Sequence, residues 1–464
     1  MTSLLIRNVE VEGRRGLDVA IDDGWIRAIR PGLQSAGEQI EGNGGALIPG
    51  LADHHIHLLA TAALDESCVL DDVSDKNTLK ARIVSAIERL GPGSWLRATG
   101  LSPALAHWLT PAILDQWAPD HPVRIQDQSG ALWILNPKAL DHLCGHALAE
   151  GVEQDSSGRP TGRLWRADSW LRATLGPSAG QSLAALGKRL AACGVTAVTD
   201  ASASNDAVSA HILADAVRRG DLPQRLTVMS AAPLTAPEDG AFDVGPVKVL
   251  LDERNLPLID SLVEAIERAR EQCRNVAVHC VTAAELALAL AAFMSAGSIY
   301  GDRIEHGGII PAEAMATVHD LRLTVVTQPG FILARGDRYL RDVAPYEQPD
   351  LYRCGSLMAC GVPTALSSDA PYGPIDPWLA IRAATHRCTR AGKSLGHEER
   401  ISSSDALRRY FGSLGDPGGP PRKVKVGEPA DLCLLAVTWD EACKNPDSKL
   451  VRATIVNGRT IFAA

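Results

Sequence analysis

The sequence predicts an α/β protein: a (β/α)8 TIM-like barrel with a small β-sandwich domain built from both chain ends. Three observations carry this expectation. The middle of the chain alternates apolar β-like runs with helical stretches, the pattern of parallel βα units. Eight such runs occur, the number that closes a barrel. Both chain ends are instead rich in short β runs joined by turn dipeptides.

In order, the first module lies in residues 1–48. Leu4, Leu5 and Ile6 begin it, and Asp23-Gly24 separates the runs 17–21 and 25–29 as a hairpin signal. The barrel is expected over 49–414, with strands at 46–51, 95–99, 195–199, 246–251, 275–279, 303–306, 323–327 and 364–367. Helical stretches such as 258–272 and 283–296 fall between them, and Pro257 stands where a helix starts well. Residues 101–172 break the rhythm and hold five of the nine tryptophans. They read as an insertion after the second strand, either a substrate wall or lid or plain packing against the barrel. Gly415 to Pro421 is Gly/Pro-rich and marks the return to the β-module, 415–464, where Asn457-Gly458 is a second hairpin signal.

Composition narrows the function. The 464 residues fit one barrel of roughly 250 residues or more, with insertions, beside a small domain. A net charge of −9 argues against nucleic acid or an anionic membrane as the main partner, since both need a basic surface. No apolar run approaches the roughly 18 residues of a membrane span. The start carries Arg7, Asn8, Glu10 and Glu12 and has no basic region followed by an apolar one, so no secretory signal is expected. The ten cysteines include no Cys-x-x-Cys pair, which reads as reduced thiols in a cytoplasmic protein. The expected partner is a small-molecule substrate.

Four polar motifs sit at the ends of apolar runs. In Asp53-His54-His55-Ile56-His57, strand periodicity puts His55 and His57 on one face and His54 on the other. Two imidazoles on one face can grip an ion, although a bare His-x-His also arises by chance. Val276–Val278 ends in His279, Arg303-Ile304-Glu305 ends in His306, and Ala365–Ser368 ends in Asp369. Taken singly, each histidine reads as a satisfied core residue and the Asp as a helix cap. Taken together, four such motifs at strand ends that open on one face of a barrel point to a shared site.

Lys248 sits inside the apolar run 246–251. A buried lysine has a lowered pKa. A neutral amine can take up carbon dioxide as a carbamate, an anion able to bridge two metal ions. Locally the residue reads equally as a lysine on a polar edge, paired with Asp252 or Glu253.

The order His-x-His, Lys, His, His, Asp, with its spacings, resembles the metal-dependent amidohydrolase superfamily. The opening run at Leu4, the lead-in Gly44 to Gly50 and the return Val426 to Leu432 extend the resemblance over nearly the whole chain. Arg303 to His306, and Ser368-Asp369-Ala370-Pro371 with Asp376-Pro377, look most like the subgroup containing N-substituted formamide deformylase. The resemblance implies that His55, His57 and Asp369 bind the more buried of two divalent ions, zinc, cobalt or manganese. His279 and His306 would bind the more exposed one, and carboxylated Lys248 would bridge them. Asp369 would also take a proton from water as general base. The resemblance further implies a homo-oligomer, a dimer or tetramer.

The implied reaction is hydrolysis of a carbon–nitrogen bond in an amide, imide, urea, carbamate or thiocarbamate. The alternatives are a single-metal deaminase of a heterocycle and, beyond enzymes, a non-catalytic barrel scaffold. The chain departs from the subgroup at Cys280-Val281-Thr282, at Gln128-Ser129-Gly130 and at Arg163 to Arg166, all of which bear on the substrate. Trp165 is a candidate for an apolar part of that substrate, and Arg166 and Arg335 for a polar part.

Overall fold

The computed structural model describes residues 3–34, 37–65, 67–175 and 183–464. The chain divides into two compact units, Met1–Leu58 together with Leu183–Ala464, and Leu59–Ser182.

The first unit is built around eight parallel strands. They are β1 (Leu51–Ile56), β2 (Val195–Asp200), β3 (Arg225–Ser230), β4 (Asp243–Val249), β5 (Val276–Cys280), β6 (Arg303–His306), β7 (Thr324–Thr327) and β8 (Thr364–Leu366). Each pairs with the next in sequence order. Polar contacts bring β8 back to β1. The Asp369 N–H donates to the His55 carbonyl at 2.8 Å, the His57 N–H to that of Ala370 at 2.8 Å, and the Ser368 N–H to Asp53 Oδ1 at 3.0 Å. This is a nearly closed TIM-like barrel.

Strand alternation explains which side chains enter it. Val276, Val278 and Cys280 face outward, into an apolar layer with Leu262 and Ile266 of helix Ile259–Glu271 and with Leu286 and Phe293 of helix Ala283–Ala296. Ala277 and His279 are thereby left facing inward. Val247 and Ile304 lie in the same outer layer, so their neighbours Lys248, Arg303 and Glu305 turn to the interior. Helix Ala283–Ala296 starts with a capping box between Thr282 and Glu285. The departure at Cys280-Val281-Thr282 is thus the helix start itself.

The chain ends form two four-stranded sheets. One contains Trp25–Arg30, Arg14–Asp22, Ser3–Val11 and Glu38–Glu41; the other contains Arg459–Ala463, Val451–Val456, Leu432–Leu435 and Leu47–Pro49. Leu4, Ile6, Val19 and Ile26 of the first share an apolar core with Leu47, Leu432, Ala453 and Ile455 of the second. At both expected hairpins the two turn residues have positive φ, 49° and 79° at Asp23-Gly24 and 50° and 71° at Asn457-Gly458. Tight turns between twisted strands need this geometry.

Two strand expectations are corrected. Residues 46–51 do not form the first barrel strand. Leu47–Pro49 pairs with Leu432–Leu435 of the terminal sheet, and the barrel begins at Leu51. Gly50 makes the crossing, since a Cβ there would lie 2.1 Å from Thr196 Cγ2. Residues 95–99 are not the second strand either. Leu96–Leu101 belongs to the six-stranded sheet of the second unit, between Val123–Asp127 and Cys68–Val69, and is parallel to both. A parallel strand flanked by helices carries the same local pattern in either place. The missing barrel strand, Arg225–Ser230, was hidden by its polar Arg, Thr and Ser.

The break in rhythm expected at 101–172 is part of this larger unit, which follows β1 rather than a second strand. Its core uses Leu79, Ile83, Leu96, Leu114 and Ile125, and a second cluster centres on Trp133 and Leu164. Among the described residues no helix is long and apolar enough to cross a membrane.

Candidate metal centre

The carboxyl ends of β1, β4, β5, β6 and β8 bring together all six residues singled out from sequence. His55 lies near the end of β1 and His57 just past it, Lys248 is near the end of β4 and His279 near that of β5, His306 closes β6, and Asp369 follows β8. Alternation from Arg303 and Glu305 would send His306 outward. Its φ of +71° breaks the alternation, and its ring lies 4.7 Å from that of His55 and 4.5 Å from that of His279, centroid to centroid. Asp369 also has positive φ, 50°. Such left-handed geometry is costly for residues with a Cβ and collects at functional sites.

Asp369 is the hub. Its Oδ1 lies 3.2 Å from His57 Nε2 and 3.5 Å from His55 Nε2, and its Oδ2 lies 3.7 Å from His306 Nδ1. His55, His306 and Asp369 each offer a ligand atom within 4.8 Å of the others, and all three are buried.

Burial holds the His55 and His306 imidazoles well below their ordinary pKa, helped by Lys248 at His55 and by His55 at His306. Burial, with Lys248, lowers His279 to about 4. These rings are therefore neutral near pH 7 and offer lone pairs. Burial also lowers Lys248 to about 8, against the opposing charges of Glu305 and Asp369.

The donor set fits a divalent ion. His55 Nε2, Asp369 Oδ1 and Lys248 Nζ are buried without a hydrogen-bond partner among the described residues. Buried polar atoms are almost always partnered. The His55 lone pair and the Asp369 oxygen are what a cation would satisfy, and the Lys248 amine would join them only once neutral or carboxylated.

Three residues supporting the site had no assigned role in the sequence reading. Glu305 accepts from His55 Nδ1, Gln328 Oε1 accepts from His306 Nδ1 at 2.9 Å, and Ser202 Oγ lies 2.8 Å from His57 Nδ1. Glu305 alone left a signal, as one of two charges two residues apart in an apolar strand. Asp200 organises the loop after β2, with Oδ1 accepting from the Ser202 N–H at 3.0 Å and Oδ2 from the Leu58 N–H at 2.8 Å.

Of the substrate candidates, Arg335 belongs to the unit that holds this centre. Its Nη2 donates to the Tyr372 carbonyl at 2.8 Å, and its guanidinium sits 4.5 Å from the Phe331 ring centroid. Tyr372 is 57% exposed and meets the His57 ring edge-on at 5.6 Å. Trp165 and Arg166 lie in the second unit, exposed at the end of strand Pro160–Trp165, where Arg166 has a φ of 50°.

A barrel with neutral imidazoles and a carboxylate gathered at its strand ends defines a metal-dependent hydrolase. The sequence model of the amidohydrolase family matches residues 39–462, and the chain belongs to that family. It is accordingly a metal-dependent hydrolase acting on carbon–nitrogen bonds other than peptide bonds. The chain is 23% identical to an N-substituted formamide deformylase of Arthrobacter pascens, over 93% of this chain and 92% of that one. Two solved structures share the fold. One is an uncharacterized metal-dependent hydrolase from Pyrococcus horikoshii, with TM-score 0.76, 19% identity and coverage of 99% of this chain and 100% of that one. The other, described in the same words, comes from Pyrococcus furiosus, with TM-score 0.74, 20% identity and coverage of 96% and 100%.

Proposed function

We propose that this chain hydrolyses a small amide, imide, urea, carbamate or thiocarbamate at a centre of two divalent ions, zinc, cobalt or manganese. His55, His57 and Asp369 would hold one ion and His279 and His306 the other, and Lys248, once carboxylated, would supply an anionic ligand between them. The observation that carries this reading is the Lys248 amine, buried, without a hydrogen-bond partner among the described residues, and lowered to about 8 among the neutral imidazoles of His55, His279 and His306. A substantial neutral fraction near pH 8 leaves that amine open to carbon dioxide.

When bound, the ions lower the pKa of water and polarise the substrate carbonyl. Asp369 then accepts the proton of the attacking water and delivers it to the leaving nitrogen. The imidazoles of His55, His279 and His306 stay neutral, because burial disfavours their protonation. Arg335, beside the Tyr372 turn, orients a polar part of the substrate, and the name of the Arthrobacter relative supports N-substituted amides as the first compounds to try. Trp165 and Arg166 are proposed as further substrate contacts, on their exposure. We read the two terminal sheets, which share one core, as a small β-sandwich, and the stretches 1–48 and 415–464 as its sequence. The ten unpaired cysteines support a reducing, cytoplasmic setting. Assembly into dimers or tetramers rests on the family resemblance.

One observation favours the single-metal deaminase. The tightest ligand group is three residues, His55, His306 and Asp369, enough for one ion. Metal analysis of the purified protein, combined with a screen of amides, carbamates, cyclic imides and amino-heterocycles, separates the readings. Two ions per chain and amide or imide hydrolysis are expected. One ion, with ammonia released from a heterocycle, overturns the binuclear reading.

A further inference from the structure

β6 carries two charges, Arg303 and Glu305, on its inward face. They are 1% and 0% exposed. The hydrolytic chemistry derived above uses neither. Glu305 Oε2 is hydrogen-bonded to His55 Nδ1, and Oε1 of the same carboxylate lies 2.5 Å from Arg303 Nε. Arg303 is anchored in turn, with Nη2 donating to the His54 carbonyl at 3.2 Å. Arg303 and Glu305 thus form a buried ion pair, and the other oxygen of the carboxylate holds the His55 imidazole. The His55 proton is thereby fixed on Nδ1. Its Nε2 lone pair is left unpartnered on the Asp369 side.

Behind two of the other imidazoles, His57 and His306, stand neutral hydrogen-bonding groups. His57 Nδ1 faces the Ser202 hydroxyl. His306 Nδ1 donates to Gln328 Oε1, and the amide is locked by Nε2 donating to Val326 O at 3.2 Å and Ser367 Oγ at 2.9 Å. A carboxylate behind a ligating imidazole fixes its tautomer and raises its basicity more than a neutral acceptor does. Such a carboxylate is costly to bury alone, and Arg303 offsets that cost.

We propose that Glu305, held by Arg303, is a positioning residue that makes His55 a stronger anchor of the metal centre than His57 or His306. Retention of the ion then depends more on Glu305 than on Ser202 or Gln328. This rests on His55 being a ligand, as read above.

The test loads wild-type protein, Glu305→Gln and Gln328→Met with cobalt(II), then follows its visible spectrum and its release into excess chelator. Release from Glu305→Gln is expected to be roughly 10- to 100-fold faster, with an altered ligand-field spectrum, and release from Gln328→Met to change less. Glu305→Gln also removes the charge that faces Arg303, so the double variant Arg303→Met with Glu305→Gln is measured beside it. If Glu305 acts on the ligand, the double variant folds and keeps the fast release. If the double variant recovers wild-type release, or Glu305→Gln alone shows wild-type release and spectrum, the proposal is overturned. Wild-type protein that takes up no cobalt overturns the metal-centre reading itself.

Discussion

Asp369 meets His55 at two places: its backbone N–H donates to the His55 carbonyl at 2.8 Å, and its Oδ1, without a hydrogen-bond partner among the described residues, faces His55 Nε2 at 3.5 Å. The first and last barrel strands therefore meet through the residues that make the candidate centre. The contacts that close the barrel also set the site. The left-handed backbone of Asp369, worth roughly 1–3 kcal/mol of strain, is held in place by that closure.

Asp369→Asn separates these roles. Asn keeps the shape and tolerates positive φ, but cannot accept the proton. The expected result is a kcat lower by about 10²- to 10⁴-fold with an unchanged circular dichroism spectrum. Wild-type kcat in this variant would take the general-base role away from Asp369.

The candidate site was far more legible than the barrel that holds it. His55, His57, Lys248, His279, His306 and Asp369 stand out because polar groups closing apolar runs are rare and recur here in one order. The strands themselves gave weaker signals. Leu96–Leu101 imitates a barrel strand because its neighbours are also parallel and helix-covered, whereas Arg225–Ser230 escapes because its Arg, Thr and Ser interrupt the apolar run. Ser202 and Gln328 were beyond reach for another reason. A serine in a loop and a glutamine after a strand carry no periodicity, and only the folded chain puts them behind His57 and His306.

Thiol chemistry offers a check on burial. Burial raises Cys354 to about 11, and burial with the nearby Asp376 raises Cys193 to about 12. Fewer thiolates then exist at pH 8, and the thiolate is the reactive form. Cys144, Cys273 and Cys360 are exposed. Iodoacetamide at pH 8 should alkylate these three first, and Cys354 only after unfolding. Peptide mass spectrometry reads the order, and early alkylation of Cys354 would contradict the packing around it.

Glu399 should be a stability determinant away from the site. It accepts from Arg353 Nη1 at 2.7 Å and from the Ser356 and Cys354 N–H groups at 2.8 and 3.1 Å. Burial pushes its carboxyl up, but the hydrogen bonds from Ser356 and Arg353 outweigh burial and hold it below its ordinary 4.5. Glu399→Gln should cost about 3 kcal/mol at pH 7, the low end for a broken buried pair, because Arg353 keeps Asp350. A depressed carboxyl contributes stability above its unfolded pKa and loses it as pH falls through the folded one. The gap between variant and wild type should therefore narrow below pH 4.5. Urea unfolding at pH 7 and pH 4 measures both values, and a gap that widens in acid would reverse the assigned shift.

Lys248→Ala probes the bridge. The side chain is buried on the inward face of β4, and its amine has no hydrogen-bond partner among the described residues. Truncation removes no hydrogen bond of that amine and leaves a space the length of the lost chain. Folding should survive, since a buried amine costs more than it contributes when unpaired. Metal content should fall to one ion per chain or fewer, and kcat with it. Acetate or propionate can enter the space and present a carboxylate where the carbamate would stand. Partial recovery of bound metal with rising acetate, followed by elemental analysis after desalting, is the expected signature. Two ions retained without added acid would remove Lys248 from the centre and return it to the ordinary buried lysines.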